Sequence, residues 1–120
     1  MSRDHRKLHV FTLADELVLK VYAKTAAFPS EERFGLCSQI RRAAVSVPAN
    51  IVEGCARQTT RDYLHFINMA IGSAAEALYL LDLSSRLAFL GGEAFAEFEA
   101  KYSVLLRQLQ SLHNSLEAKR

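Results

Sequence analysis

The sequence predicts an all-α protein, a single domain of four helices spanning residues 1–120. Three observations carry that reading. Apolar residues recur every three or four positions through most of the chain, which is the helical period. Breakers are scarce, with 5 Gly and 2 Pro in all, so the elements are few and long. Half of the residues (50%) are hydrophobic, enough to supply one core at this length, where about two-thirds of the unfolded surface is buried.

Helix 1 is predicted over Lys7 to Ala27, because Phe11, Ala14, Val18, Val21, Thr25 and Phe28 repeat as a bundle seam. Pro29 cannot continue a helix and pushes Phe28 out of the α region. Ser30 is then the expected N-cap of helix 2, with Glu31 and Glu32 in the first turn, where negative charge suits the dipole. A connection this short makes helices 1 and 2 antiparallel neighbours.

Helix 2, expected over Glu31 to Arg57, organises the rest of the chain. Leu36, Ile40, Ala44, Val47, Ile51 and Cys55 form an apolar stripe, and Gln39, Arg42, Ser46, Asn50, Glu53 and Arg57 a polar one beside it. Pro48 removes one hydrogen bond and clashes with the carbonyl of Ala44, so a kink is expected there. A complete break is the alternative, since an interior proline costs about 3 kcal/mol. Ser46 and Asn50 can bond backbone groups freed by the proline.

Thr60 is the expected cap of helix 3, predicted over Arg61 to Leu90. Its main apolar stripe is Tyr63, Leu64, Ile67, Ala70, Ile71, Ala74, Leu78 and Leu81. On a wheel of about 100° per residue, Met69, Leu80, Leu83 and Leu87 point roughly the opposite way, with Gly72, Ser73 and Glu76. A helix in a monomeric bundle needs one buried stripe, so a second stripe implies an oligomer. An interior glycine such as Gly72 costs about 1 kcal/mol against alanine, which suits a place where another backbone approaches closely. Gly91-Gly92 is expected to end helix 3 in a left-handed cap. Helix 4, over Glu93 to Leu116, has the cleanest repeat: Phe95, Phe98, Tyr102, Leu105, Leu109, Leu112 and Leu116. The tail from Glu117 to Arg120 is expected to fray.

Charge and composition narrow the function classes. Fifteen Lys+Arg against 13 Asp+Glu leave +2, too little for a dedicated duplex-binding domain. The charge is uneven, however. Five arginines (33, 41, 42, 57, 61) face one acid, Glu53, between Arg33 and Arg61, whereas six acids face Arg86, Lys101 and Arg107 between Glu76 and Glu117. That asymmetry suits complementary packed faces first and steering of an anionic partner second. The N-terminus has early charges but no apolar run or cleavage site of a secretory signal, and no window reads as a membrane span. Cys37 and Cys55 stand about 27 Å apart on one helix at about 1.5 Å per residue. That is beyond the reach of a disulfide, which needs Cα atoms within about 7 Å. Buried thiols in a reducing cytoplasm are expected.

No catalytic constellation emerges, and neither a metal nor another cofactor is expected. A di-iron bundle needs Glu-x-x-His pairs, and no glutamate here has a histidine three residues on. His5 and His9 have the spacing to share an ion but lack a third ligand. Cys37 and Cys55 lie on the apolar face, away from His65 and His113, and the chain has no P-loop, GxGxxG or GxSxG. The polar stripe remains. Gln39, Ser46, Asn50, Glu53, Ser73 and Glu76, with Arg42, can satisfy one another in a network within or between bundles. Alternatively, Arg41, Arg42, Arg57 and Arg61 form a phosphate-binding ridge for RNA. The network is favoured, because aromatic residues are not interleaved with the arginines as single-strand binders prefer. Met69, Gly72, Leu80, Leu83 and Leu87 are the expected apolar interface.

One run of residues resembles a known family. It comprises Phe28-Pro29-x-x-Glu32-x-Phe34-Gly35-Leu36, then Gln39-Ile40-Arg41-Arg42-Ala43-Ala44-x-Ser46-Val47-Pro48-x-Asn50-Ile51-x-Glu53-Gly54-x-x-Arg57, then Gly72-Ser73-x-x-Glu76. This order is similar to the four-helix bundle proteins encoded in large-subunit ribosomal RNA intervening sequences. Val52 and Phe11 depart from the usual alanine and tryptophan, as packing changes. The resemblance implies a left-handed antiparallel up-down-up-down four-helix bundle assembling as a homopentamer, with no catalytic residues. The family is also similar to the accessory protein of diversity-generating retroelements, a pentameric bundle that binds a reverse transcriptase and nucleic acid. The expected function is a non-catalytic oligomeric scaffold with a protein partner, and the alternative is an RNA-binding module; no membrane partner is expected.

Overall fold

A computed structural model describes residues 3–120, and the described residues form four α-helices with no strand. The helices are α1 (His9–Thr25), α2 (Leu36–Cys55), α3 (Thr60–Arg86) and α4 (Gly92–Ala118). Each predicted helix is present, and the differences lie at the ends and in the α1 seam, where Val10 and Leu17 are buried while the expected Phe11 and Val18 are only half-buried.

Residues His5–Lys7 form a separate 3-10 turn, capped by the Asp4 carboxylate accepting from the Arg6 backbone N–H at 3.0 Å. Leu8 is extended, so α1 starts two residues later than the periodicity suggests. Ser30 does not cap α2. It opens a second 3-10 turn, Ser30–Glu32, and α2 begins at Leu36 after Gly35. The capping task falls to Glu32, whose Oε1 accepts from the Leu36 N–H at 3.2 Å and satisfies one orphan donor of the first turn. Pro48 lies inside α2, which continues through it unbroken, so the complete break is excluded. The Asn50 amide donates to the Ser46 carbonyl (2.8 Å) and hydroxyl (2.9 Å), and not to the Ala44 carbonyl that Pro48 leaves without a donor.

Thr59, one residue before the expected cap, accepts from the Asp62 N–H at 3.1 Å, and Thr60 is the first helical residue. The left-handed turn that ends α3 falls on Ala88 (φ 66°), not on Gly91-Gly92. The Phe89 N–H donates to the Ser84 carbonyl at 2.9 Å and the Ala88 N–H to that of Ser85 at 3.0 Å. That pair of bonds is the Schellman arrangement, with the positive φ at the residue just past the cap. Gly91, with φ −66°, starts α4 instead, and α4 runs through Glu117 to Ala118 where fraying was expected.

The four helices surround one core. α2 packs on α1 and α3, and α4 closes the square between α3 and α1. Ile40, Val47 and Ile51 of α2 meet Leu17 and Val21 of α1, Ile67 and Leu81 of α3, and Leu105 and Leu109 of α4, all fully buried. The start of α1 lies beside the end of α4, where Leu8 and Val10 share a surface hollow with Gln108 and Leu112. At the other end Lys20 of α1 bridges Glu97 of α4 at 2.6 Å. Gly54 packs tightly against α3: a Cβ placed there stands 2.8 Å from Cδ1 of Tyr63. Both cysteines are buried free thiols.

α3 contains a window of mean hydropathy 1.3, long and apolar enough to cross a membrane, which departs from the sequence expectation. Only 39% of that window is buried within the chain. Along α3 the buried positions Tyr63, Ile67, Ala70, Ala74, Ala77, Leu81 and Ser84 repeat by fours and threes, with Leu64 and Leu80 buried beside them.

Candidate interaction surface

The polar stripe of α2 faces α3. Ser46 and Ser73 bring their hydroxyl oxygens to 2.8 Å, tying the middles of the two helices together. Asn50, one turn along, is buried and spends its amide N–H groups on Ser46. Above this chain of bonds a groove of about 500 Å³ opens between the helices, lined by Gln39, Arg42, Ala43, Ser46, Ser73 and Glu76. Arg42 and Glu76 are exposed on its walls, and no ion pair closes between them among the described residues. Five of the predicted polar residues are therefore brought together, with Asn50 beneath them. Glu53 is exposed and does not line the groove. At i,i+4 spacing it could pair with Arg57, but no such ion pair forms among the described residues, because α2 ends at Cys55 and Arg57 has left the helical register that the pairing requires.

The four arginines do not share one ridge. Arg41 turns to α1, where its Nε donates to Thr25 Oγ1 at 2.9 Å and its guanidinium lies 4.5 Å over the Tyr22 ring. Arg42 lines the groove on the α3 side. Arg57 stacks over Phe66 at 4.6 Å beyond the end of α2, and Arg61 is exposed in the first turn of α3. Successive positions of α2 point about 100° apart, which is why Arg41 and Arg42 serve different faces.

The expected apolar face of α3 is present in part. Met69 is 46% exposed and Leu87 49%, Gly72 is exposed, and Leu83 is half-buried against the core. Leu80 is buried, at 6% exposure, and does not belong to an outer face. The cause is drift: a stripe repeating every seven residues slips about 20° per heptad on a wheel of 3.6 residues per turn. By the second turn from the end, the core side of α3 has moved round to Leu80. Sequence reasoning missed a further apolar face, toward α1, where Tyr22 is 44% and Val45 of α2 40% exposed. Both fall next to seam positions, and only the packing shows which neighbours leave them uncovered.

Burial governs the titrating groups nearby. It pushes the Cys55 thiol and the Tyr63 phenol above their ordinary values, and the two share a 3.7 Å contact from Sγ to the phenol oxygen. Tyr102 is raised for the same reason. Among the described residues no three metal-binding side chains gather.

Fold and surface together define a helical-bundle protein with an open polar groove between its two most closely packed helices. The chain belongs to the 23S rRNA-intervening sequence protein family, whose model matches residues 6–111. It is similar to a crystal structure of a protein of unknown function from the S23 ribosomal protein family of Bacteroides thetaiotaomicron VPI-5482, with 23% sequence identity and a TM-score of 0.80. The match covers 88% of this chain and 95% of that one, and at such identity it establishes the shared helical fold. No curated protein matches the chain. Neither family nor neighbour brings a sign of catalytic activity.

Proposed function

We propose that the chain is a non-catalytic module that assembles with copies of itself into a closed ring, a cytoplasmic homopentamer, and presents that ring to a protein partner. The observation that carries this reading is the α2–α3 groove with its flanking surface. Arg42 and Glu76 stand in it without pairing, Met69 lies exposed on the same helix as Glu76, and Leu87 is exposed at the C-cap of that helix. Gly72 adds the strongest hint. Nothing stands within 4 Å of the place its Cβ would occupy, so this chain alone has no use for a residue that weakens the helix by about 1 kcal/mol. A second backbone lying against α3 supplies the use. α3's apolar length then serves an interface rather than a bilayer.

The other side of α2 is chemically different, with Tyr22 and Val45 around Arg41. Unlike faces on two sides of one helix suit head-to-tail pairing, which closes into a ring when the rotation permits. The number five rests on the family resemblance. Short connections, the pairing of α1's start with α4's end and the seven-residue repeat of α3 support a left-handed up-down-up-down bundle. The bond that Pro48 cannot make supports a bend in α2 there. The ridge of Arg41, Arg42, Arg57 and Arg61 is the weaker reading, because its members face different directions.

Replacing Gly72 tests the proposal. Gly72→Phe has open space in the monomer, so it is expected to leave the helical content unchanged and to abolish assembly in light scattering. A variant with wild-type oligomeric mass contradicts the assignment of this face.

A further inference from the structure

We propose a second site, distinct from the groove: Arg3 and Arg57 form a paired guanidinium clamp for the phosphodiester backbone of single-stranded RNA. Arg3 lies over the Tyr63 ring at 4.4 Å and Arg57 over the Phe66 ring at 4.6 Å. Tyr63 and Phe66 sit one turn apart on α3, and both side chains abut Gly54: its Cβ position is 2.8 Å from Tyr63 Cδ1 and 3.1 Å from Phe66 Cβ. The stacks are therefore neighbours: Phe66 is half-buried beside Tyr63, whose ring is held in the core. The Arg3 backbone is fixed as well, its N–H donating to the Cys55 carbonyl at 2.8 Å.

What sets these two apart is how they are held. Arg6 spends its fork on Asp4, Arg86 pairs with Asp82, and Arg41 bonds Thr25. Arg3 and Arg57 are exposed and make no side-chain hydrogen bond or ion pair among the described residues. A guanidinium stacked on a ring uses its face and keeps its in-plane donors free. Two such forks side by side, oriented in advance, suit the oxygens of successive phosphates, which arginine takes bidentately. The acid nearest in sequence to Arg3, Asp4, is already neutralised by Arg6. His65 supplies the argument for a single strand over an acidic peptide. Its exposed imidazole stands at 75° to the Phe66 ring, with ring centres 5.3 Å apart, and sets an aromatic ring beside the clamp for a base to stack on.

The test is a fluorescence-anisotropy titration of a labelled oligouridylate with the purified full chain, at two salt concentrations. Arg3→Ala with Arg57→Ala is expected to weaken binding at least roughly tenfold, since charge-assisted hydrogen bonds are lost. The slope of log affinity against log salt is expected to fall by roughly 1.4, about 0.7 for each phosphate contact. Arg3→Lys with Arg57→Lys, which keeps the charge but not the fork, is expected to recover only part of the affinity. Arg86→Ala is the control and is expected to bind as the wild type. Absence of wild-type binding at micromolar protein overturns the proposal. So does an equal loss in Arg86→Ala, full recovery by the lysine pair, or displacement of the RNA by polyglutamate as readily as by unlabelled oligouridylate. None of these outcomes bears on assembly, which is read separately from the oligomeric mass.

Discussion

Gly54 has no side chain because Tyr63 stands where one would go. Alanine is ordinarily the better helix former by about 1 kcal/mol. Here its methyl would meet Tyr63 Cδ1 at 2.8 Å and Phe66 Cβ at 3.1 Å, and the Tyr63 ring, 1% exposed, is held by the core. Gly54→Ala is therefore expected to destabilise the fold by about 1–3 kcal/mol, the usual penalty of overpacking, in a denaturant titration. Ala88 presents the opposite case. It adopts φ 66°, where a Cβ costs roughly 1–2 kcal/mol, while glycine at the same place is free of strain. Ala88→Gly is expected to raise stability by about 1 kcal/mol, less what the more flexible unfolded chain takes back. A lower melting temperature contradicts this account of the end of α3. The sequence could not distinguish these two positions. Gly91-Gly92 looks like the natural left-handed cap, yet the turn falls where Ser84 and Ser85 can accept two bonds, three residues earlier.

At the scale of the element, periodicity carries most of the information. The apolar repeats are legible because each lies on one side of a helix, and the core confirms them except in α1, where Val10 and Leu17 are buried and the expected Phe11 and Val18 only half-buried. Helix ends are less legible, because the groups that satisfy them come from outside the repeat. Glu32 caps α2 from a preceding 3-10 turn, and Thr59 rather than Thr60 caps α3. The groove was largely legible: Gln39, Arg42 and Ser46 share one side of α2 as Ser73 and Glu76 share one side of α3. The arginine–aromatic stacks were not, since Arg3 reaches Tyr63 only after the N-terminal segment folds back on α2. The Ser46 hydroxyl is the joint between α2 and α3, touching both Ser73 and the buried Asn50 amide. Ser46→Ala is expected to destabilise by about 1 kcal/mol, the net worth of such bonds. An unchanged denaturation midpoint contradicts a structural role for that joint.

For the whole molecule, the buried tyrosines and Cys55 set the alkaline limit. Tyr63 and Tyr102 have folded pKa values above the ordinary 10.0, because burial disfavours the phenolate. A raised acid contributes stability that is complete below its unfolded value and is lost as pH rises toward the folded one. Unfolding free energy is therefore expected to hold to about pH 9 and to fall steadily above 10. Stability that is flat from pH 8 to 11 contradicts the burial of these groups. On the acid side, Lys20 and Lys101 hold the exposed Glu97 below the usual glutamate value. That bridge between α1 and α4 helps above the ordinary value and is lost as pH falls through the lowered one.

Self-association is the claim on which the functional reading turns, and native mass spectrometry of the purified chain at moderate salt tests it most directly. The account predicts a closed species of five times the 13.4 kDa chain, unaffected by ribonuclease. A monomeric mass at micromolar concentration contradicts it, and leaves the exposed face of α3 without the partner that its residues require.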